Sequence, residues 1–188
     1  DGDTAAPRVR DLPPKRVDDK YSGWDLDQYQ SLITAPAADK PYDHLSAVEM
    51  LGNVIGGRGV RHLNLTITDF KALAIKQLQA GESVWFGSDV GQSSDRKIGI
   101  LDTKIYDQDG LFNVDLHMSK AERLDYGESL MTHAMVLTGV DIVDGKPTQW
   151  KVANSWGAKV CEKGYFVASD AWFDACVYQI VFNKRLVS

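Results

Sequence analysis

Among the four histidines of this chain, His44, His62, His117 and His133, one is placed for proton transfer. His133 interrupts the apolar run LMTHAMVLTGV, whereas the other three sit in polar, turn-rich surroundings that suit surface or structural roles. A buried imidazole must satisfy both ring nitrogens. Asn154 supplies a partner: it ends the segment TQWKVANSW, which follows the His133 segment across a hairpin turn read in DGKP, with Gly145 and Pro147. An amide oxygen there accepts from one ring nitrogen and fixes the tautomer and the orientation of the ring. The other nitrogen then faces a cleft, ready to take or give a proton. Trp156, two residues further on, shields that hydrogen bond from water and so strengthens it. Together these are the base and the orienting group of a nucleophilic triad.

A nucleophile to match them is missing. A thiolate needs a lowered pKa, usually from a helix N-terminus beside an imidazolium. Cys161, in AKVCEKGYF, falls in a loop before a strand, with no helix start. Cys176, in WFDACVYQI, reads as a small core residue entering an apolar strand. No HExxH or other close ligand pair occurs, so no metal is expected. The glycines Gly56, Gly57 and Gly59 in NVIGGRGVRHLNL match neither GxxxxGK[ST] nor a GxGxxG opening a helix. They read as a tight turn, and no cofactor is implied.

A chain of 188 residues with ordinary apolar content suffices for a packed core without disulfides or metal. A net charge of −5 with no basic run disfavours nucleic acid. No apolar run approaches the roughly 20 residues that span a bilayer. Two cysteines are too few for a disulfide scaffold, and a cytoplasmic protein is expected. The chain begins DGDTAAPRVR without Met, as a processed product or fragment would.

Residues 1–20 read as a polar arm, and 21–188 as one folded unit. TITDFKALAIKQLQAG predicts a helix capped by Thr68 or Asp69 and ended by Gly81, with Phe70, Leu73, Ala74 and Leu78 on its buried stripe. ESVWFGSDVG predicts a strand with Val84 and Phe86 on one face and Trp85 on the other. Ser119 and Glu122 form a capping box for a short helix. MTHAMVLTGVDIV, TQWKVANSW, KGYFVASD and VYQIVFN predict strands of a mainly antiparallel sheet, closed or half-closed like a small barrel. The class is α+β, with helices at the edge of the sheet.

At these residues a resemblance becomes specific. THAMVLTGV followed by WKVANSWG and KGYF resembles the His and Asn signatures of papain-like cysteine proteases. DLDQYQSLITAPAADKPYD, GESVWFGSDVG, KAERLDYGESLMTHAMVLTGV and SDAWFDACVYQIVFNKRLV resemble the bleomycin hydrolase and aminopeptidase C branch, from about Asp25 to Val187. The resemblance implies a papain-like fold in which His133 is the general base and acid, Asn154 its orienting residue and Trp156 the covering indole. It also makes Ser88, Asp89 and Val90 candidate walls of the substrate cleft, although a sheet end and its turn account for them equally well.

The family's nucleophile lies in a Q-x-x-x-x-x-C-W segment of its N-terminal half, which this chain lacks. The chain therefore resembles the C-terminal half, whose partner is the Cys-bearing N-terminal half. The resemblance further implies removal of N-terminal residues from peptides, inside a homohexamer whose C-terminal arm limits access to the cleft. The sequence ends at KRLVS, so that arm is expected to be short or absent here, which leaves endopeptidase behaviour open. The rival expectations are a non-catalytic peptide-binding or assembly module that kept the barrel, and a papain-like transferase using the same pair.

Overall fold

A computed structural model describes residues 24–49 and 59–187. The arm expected over 1–20, and Gly56 and Gly57 of the glycine turn, lie outside the described residues. Ten strands form one sheet, in the order β2-β3-β1-β10-β4-β7-β8-β9-β6-β5. They are β1 (Tyr29–Ile33), β2 (Leu45–Ala47), β3 (Arg61–Asn64), β4 (Val84–Ser88), β5 (Ser94–Asp95), β6 (Ile100–Leu101), β7 (His133–Val143), β8 (Lys146–Ala153), β9 (Tyr165–Ser169) and β10 (Val177–Asn183). Pairing is antiparallel except between β1 and β3 and between β6 and β9. The order is linear, so the sheet is open and not a closed barrel; both its edges, β2 and β5, are strands of three residues or fewer. Edges that short offer little for another strand to pair with.

The longest helix, α1 (Ile67–Gln79), lies against the middle of this sheet. Its cap is Thr66 and not Thr68 or Asp69: the Thr66 hydroxyl accepts from the Asp69 backbone N–H at 3.2 Å. Leu65 before that cap and Phe70 one turn on are both buried, the placement of a hydrophobic staple, which explains why the helix starts there. At the other end Gly81 has φ +84°; its N–H donates to the Leu78 carbonyl at 3.0 Å, and that of Glu82 to Gln77 at 3.1 Å. That pair of bonds is a Schellman motif, and it needs a residue at ease in the left-handed region.

Phe70 and Ala74 are fully buried, while Leu73 and Leu78 are half-buried. Gln77 shares the buried face because its side chain is spoken for. It donates to the Ser83 carbonyl at 2.9 Å and accepts from the Asn183 N–H at 2.8 Å.

On β4 the expected alternation holds: Val84 and Phe86 are fully buried and Trp85 is exposed. They join Leu137, Trp150, Ile180 and Phe182 in one apolar core. Phe173 enters it from α4 (Asp170–Cys176), stacked on Trp150 with ring centroids 4.2 Å apart. Two smaller helices, α2 (Gln108–Phe112) and α3 (Lys120–Asp125), interrupt the long connection to β7. The capping box of Ser119 and Glu122 opens α3 as expected.

One expectation needs correction. The β7–β8 turn is made by Asp144 and Gly145, both with positive φ, whereas Pro147 lies inside β8 opposite Ile142, where the register shifts. A proline has no N–H for the ladder, so a register irregularity tolerates it. The expected strand VYQIVFN is β10, and Cys176 is buried just before it as expected, as the last residue of α4.

Candidate active site

His133 is the first residue of β7 and pairs with Ser88 at the end of β4. Asn154 follows the last residue of β8, and its backbone N–H donates to the Gly164 carbonyl at 3.0 Å. Gly164 is buried with φ +87°, so a side chain there is disfavoured by the backbone itself. These constraints set where β8 stops and hence where the Asn154 side chain starts.

Across the hairpin, His133 Nε2 and Asn154 Oδ1 are 2.9 Å apart. The same Oδ1 accepts from the Ser155 N–H at 2.7 Å, which orients the amide with its oxygen toward the ring. Nε2 is therefore the donor, and in the neutral imidazole Nδ1 carries the free lone pair. Nδ1 makes no hydrogen bond among the described residues. Trp156 lies against the imidazole, ring centroids 4.7 Å apart and planes 24° from parallel. Phe166 meets the indole edge-on at 6.0 Å, and the Arg96 guanidinium sits 4.4 Å from its centroid. The arrangement holds one tautomer of a half-buried histidine and leaves the other nitrogen to exchange a proton.

Ser88, Asp89 and Val90 are all buried. Asp89 accepts from the Ser129 hydroxyl at 2.7 Å, and Ser129 accepts from Tyr178 at 2.6 Å. The Asp89 backbone N–H donates to the Cys176 carbonyl at 2.9 Å. The Val90 N–H donates to the Thr132 hydroxyl at 3.3 Å, and the Thr132 N–H to the Ser88 carbonyl at 3.0 Å. This network ties the run from Ser129 to Thr132, which leads into His133, to the end of β4. The Ser88 hydroxyl is buried without a partner among the described residues, as is the Asn154 amide nitrogen.

Both thiols are kept protonated. Burial pushes the Cys176 thiol up, and the residue ends a helix, where the macrodipole disfavours an anion. Burial also raises Cys161, which sits in a loop with φ +58° and donates to the Arg96 carbonyl at 3.4 Å. Of the other histidines, His62 Nδ1 lies 2.7 Å from the Ser31 hydroxyl and His44 Nδ1 2.8 Å from the Tyr42 carbonyl, while His117 is exposed.

Sequence reasoning missed Arg96, Ser129, Tyr178 and Lys120. Lys120 and Arg123 of α3 donate to the Val177 and Ala175 carbonyls at the end of α4, and Lys120 lies over the Tyr178 ring at 4.6 Å. Burial lowers the Lys120 ammonium to about 7. A capping box announces α3, but nothing local announces its partners.

The sheet thus presents a histidine held by an asparagine amide beneath an indole, with one ring nitrogen left to exchange a proton. The whole chain, residues 1–188, matches the Peptidase C1-like family, and it belongs to that family. It is 61% identical over 178 residues to aminopeptidase C of Lactobacillus delbrueckii subsp. lactis, covering 95% of this chain and 40% of that protein. It is 58% identical to aminopeptidase C of Streptococcus thermophilus, with 94% and 40% covered. Among solved structures, a crystal structure of PepW from Lactobacillus rhamnosis HN001 superposes with a TM-score of 0.90 at 73% identity, over 96% of this chain and 40% of that one. The chain thus spans about 40% of the length of the relatives it matches.

Proposed function

We propose that this chain is the base-bearing C-terminal portion of a cysteine aminopeptidase of the bleomycin hydrolase type, and that the nucleophilic Cys lies in a portion outside it. One observation carries the reading: His133 Nε2 is 2.9 Å from Asn154 Oδ1, with Nδ1 left without a partner among the described residues. In the complete enzyme Nδ1 takes the proton of the thiol as sulfur attacks the peptide carbonyl. The imidazolium then returns that proton to the amine as the C–N bond breaks, leaving a thioester. In the second half, Nδ1 removes a proton from water as it attacks the thioester, and sulfur leaves as the thiolate. Asn154 keeps the ring in place through both transfers, and Trp156 keeps water from its bond to Nε2.

Ser88 at the end of β4, with Asp89 and Val90 just beyond it, borders this site, and Asp89 helps to hold the cleft wall through its bond from Ser129, which in turn accepts from Tyr178. Substrates are peptides from which N-terminal residues are removed, and the setting is a homohexamer in the cytoplasm. The similarity to aminopeptidases C supports the substrate class, and the sequence resemblance supports the assembly and the compartment.

The test is to treat the complete enzyme with an epoxysuccinyl thiol reagent and map the adduct. The label is expected on a cysteine outside these 188 residues. An adduct on Cys161 or Cys176 that removes activity contradicts the reading.

A further inference from the structure

The indole over His133 belongs to an irregular loop, Trp156 being followed by Gly157 with φ +88°. Something outside that loop has to hold it. Phe166 supplies an edge contact from β9, and the other support comes from Arg96.

Arg96 is at the tip of the β5–β6 hairpin, in which Ser94 pairs with Leu101 and Asp95 with Ile100. The hairpin is anchored from several sides. Leu101 is fully buried, β6 pairs with β9, and the Val167 N–H donates to the Gly99 carbonyl at 2.8 Å. Asp95 Oδ1 accepts from the Lys97 and Ile98 N–H groups at 2.8 and 3.3 Å, closing the turn. Gly99 has φ +76°, and a Cβ there would lie 2.9 Å from Cys161 Cβ, so the turn is pressed against the Cys161 loop. The Cys161 thiol donates to the Arg96 carbonyl itself. Among the described residues the Arg96 guanidinium forms no ion pair, and it rests over the Trp156 ring.

We infer that Arg96 is a positioning residue for the reaction: stacked on Trp156, it holds the indole against His133 and so keeps water from the His133–Asn154 bond. This rests on the reading of His133 as the base. A guanidinium is suited to the task because it is planar, always charged and weakly hydrated, so it stacks on an indole while its edge stays in water.

The prediction has a sign that separates positioning from charge alone. A hydrogen bond from an ionised donor is stronger than one from a neutral donor, so keeping water from the one bond to Asn154, without burying the half-exposed ring, favours the imidazolium. Losing the shelter makes the imidazolium give up its proton at lower pH. Removing a nearby positive charge with the shelter intact does the reverse. The titratable groups beside Arg96 are Asp95 and Cys161, on which its charge also acts. Neither changes in the variants below.

The experiment measures kcat and KM against pH for an aminoacyl-anilide in the complete enzyme, as wild type, Arg96→Ala, Arg96→Lys and His133→Ala. For Arg96→Ala the expected result is kcat about two- to fivefold lower, the range one exposed cation–π contact spans, with KM unchanged. The alkaline limb of its kcat profile should move to lower pH, and Arg96→Lys should recover part of both effects. If Arg96→Ala does not fold, the Arg96→Lys profile decides alone, with a smaller shift in the same direction. An alkaline limb that stays put, or moves to higher pH, overturns the inference. If His133→Ala loses turnover while the Arg96 variants behave as wild type, only this inference fails. If His133→Ala keeps its turnover, the underlying reading fails first.

Discussion

His133 and Asn154 stand on the two arms of one hairpin, and their side chains meet at 2.9 Å although β8 ends opposite Val136, three residues inside the start of β7. Val136 pairs with Ala153, so Asn154 lies just past the paired stretch, free to turn its amide toward the ring. The Ser155 N–H on the same oxygen then removes the choice of amide orientation.

That relationship predicts the effect of Asn154→Ala. An orienting hydrogen bond to a group that becomes charged contributes roughly 1.5–3 kcal/mol, so kcat should fall by about ten- to a hundredfold. KM should hardly move, because the amide acts on the base and not on the peptide. Steady-state kinetics of the complete enzyme check this, and a loss confined to KM would count against it.

The Asp89–Ser129–Tyr178 chain predicts a stability effect. Asp89→Ala leaves the buried Ser129 hydroxyl without its acceptor, at a cost of about 1–3 kcal/mol. The denaturant midpoint of the complete enzyme should fall accordingly. A midpoint equal to wild type would mean that the network does not hold the strand end.

Lys120 predicts a pH dependence of stability. Its ammonium, ordinarily at 10.5, is lowered to about 7 by burial. The unfolded chain therefore binds this proton more readily than the folded one, and stability is lost as pH falls through the window from 10.5 to about 7. Lys120→Met removes that dependence. Its unfolding midpoint should gain on wild type as pH falls from about 10 to about 7, the range in which the two states differ in protonation. A constant difference over that range would show that the ammonium is not desolvated.

Helix α1 offers a direct check on its cap. Thr66→Ala should cost about 1 kcal/mol and Thr68→Ala no more than about 0.5 kcal/mol. Equal losses in chemical unfolding would contradict the placement of the cap at Thr66.

The pair at the heart of the site was legible because it is local: one histidine in an apolar strand, one hairpin and one asparagine at the next strand's end. The cap of α1 was not, since NLTITDF offers Thr66, Thr68 and Asp69, all of them good caps. What decides between them is tertiary, the burial of Leu65 and Phe70 on either side of Thr66. Strand alternation identified β4, and the segments on either side of the hairpin turn gave β7 and β8, but neither signal says which edges meet, so the open sheet order was out of reach. The strand VYQIVFN was legible and Cys176 before it is the core residue expected, but α4 was not, because its seven residues DAWFDAC are too few to show a helical period. Arg96 left no trace at all: a charged residue in a polar turn looks solvated until the fold brings an indole to it.

Whether His133 is the base is read from kcat/KM of the complete enzyme with His133→Ala, at a wild-type unfolding midpoint. The expected result is a fall of at least about a thousandfold, as for loss of a triad member. A variant that folds and stays within about tenfold of wild type, a difference of about 1.4 kcal/mol in the barrier, contradicts the account.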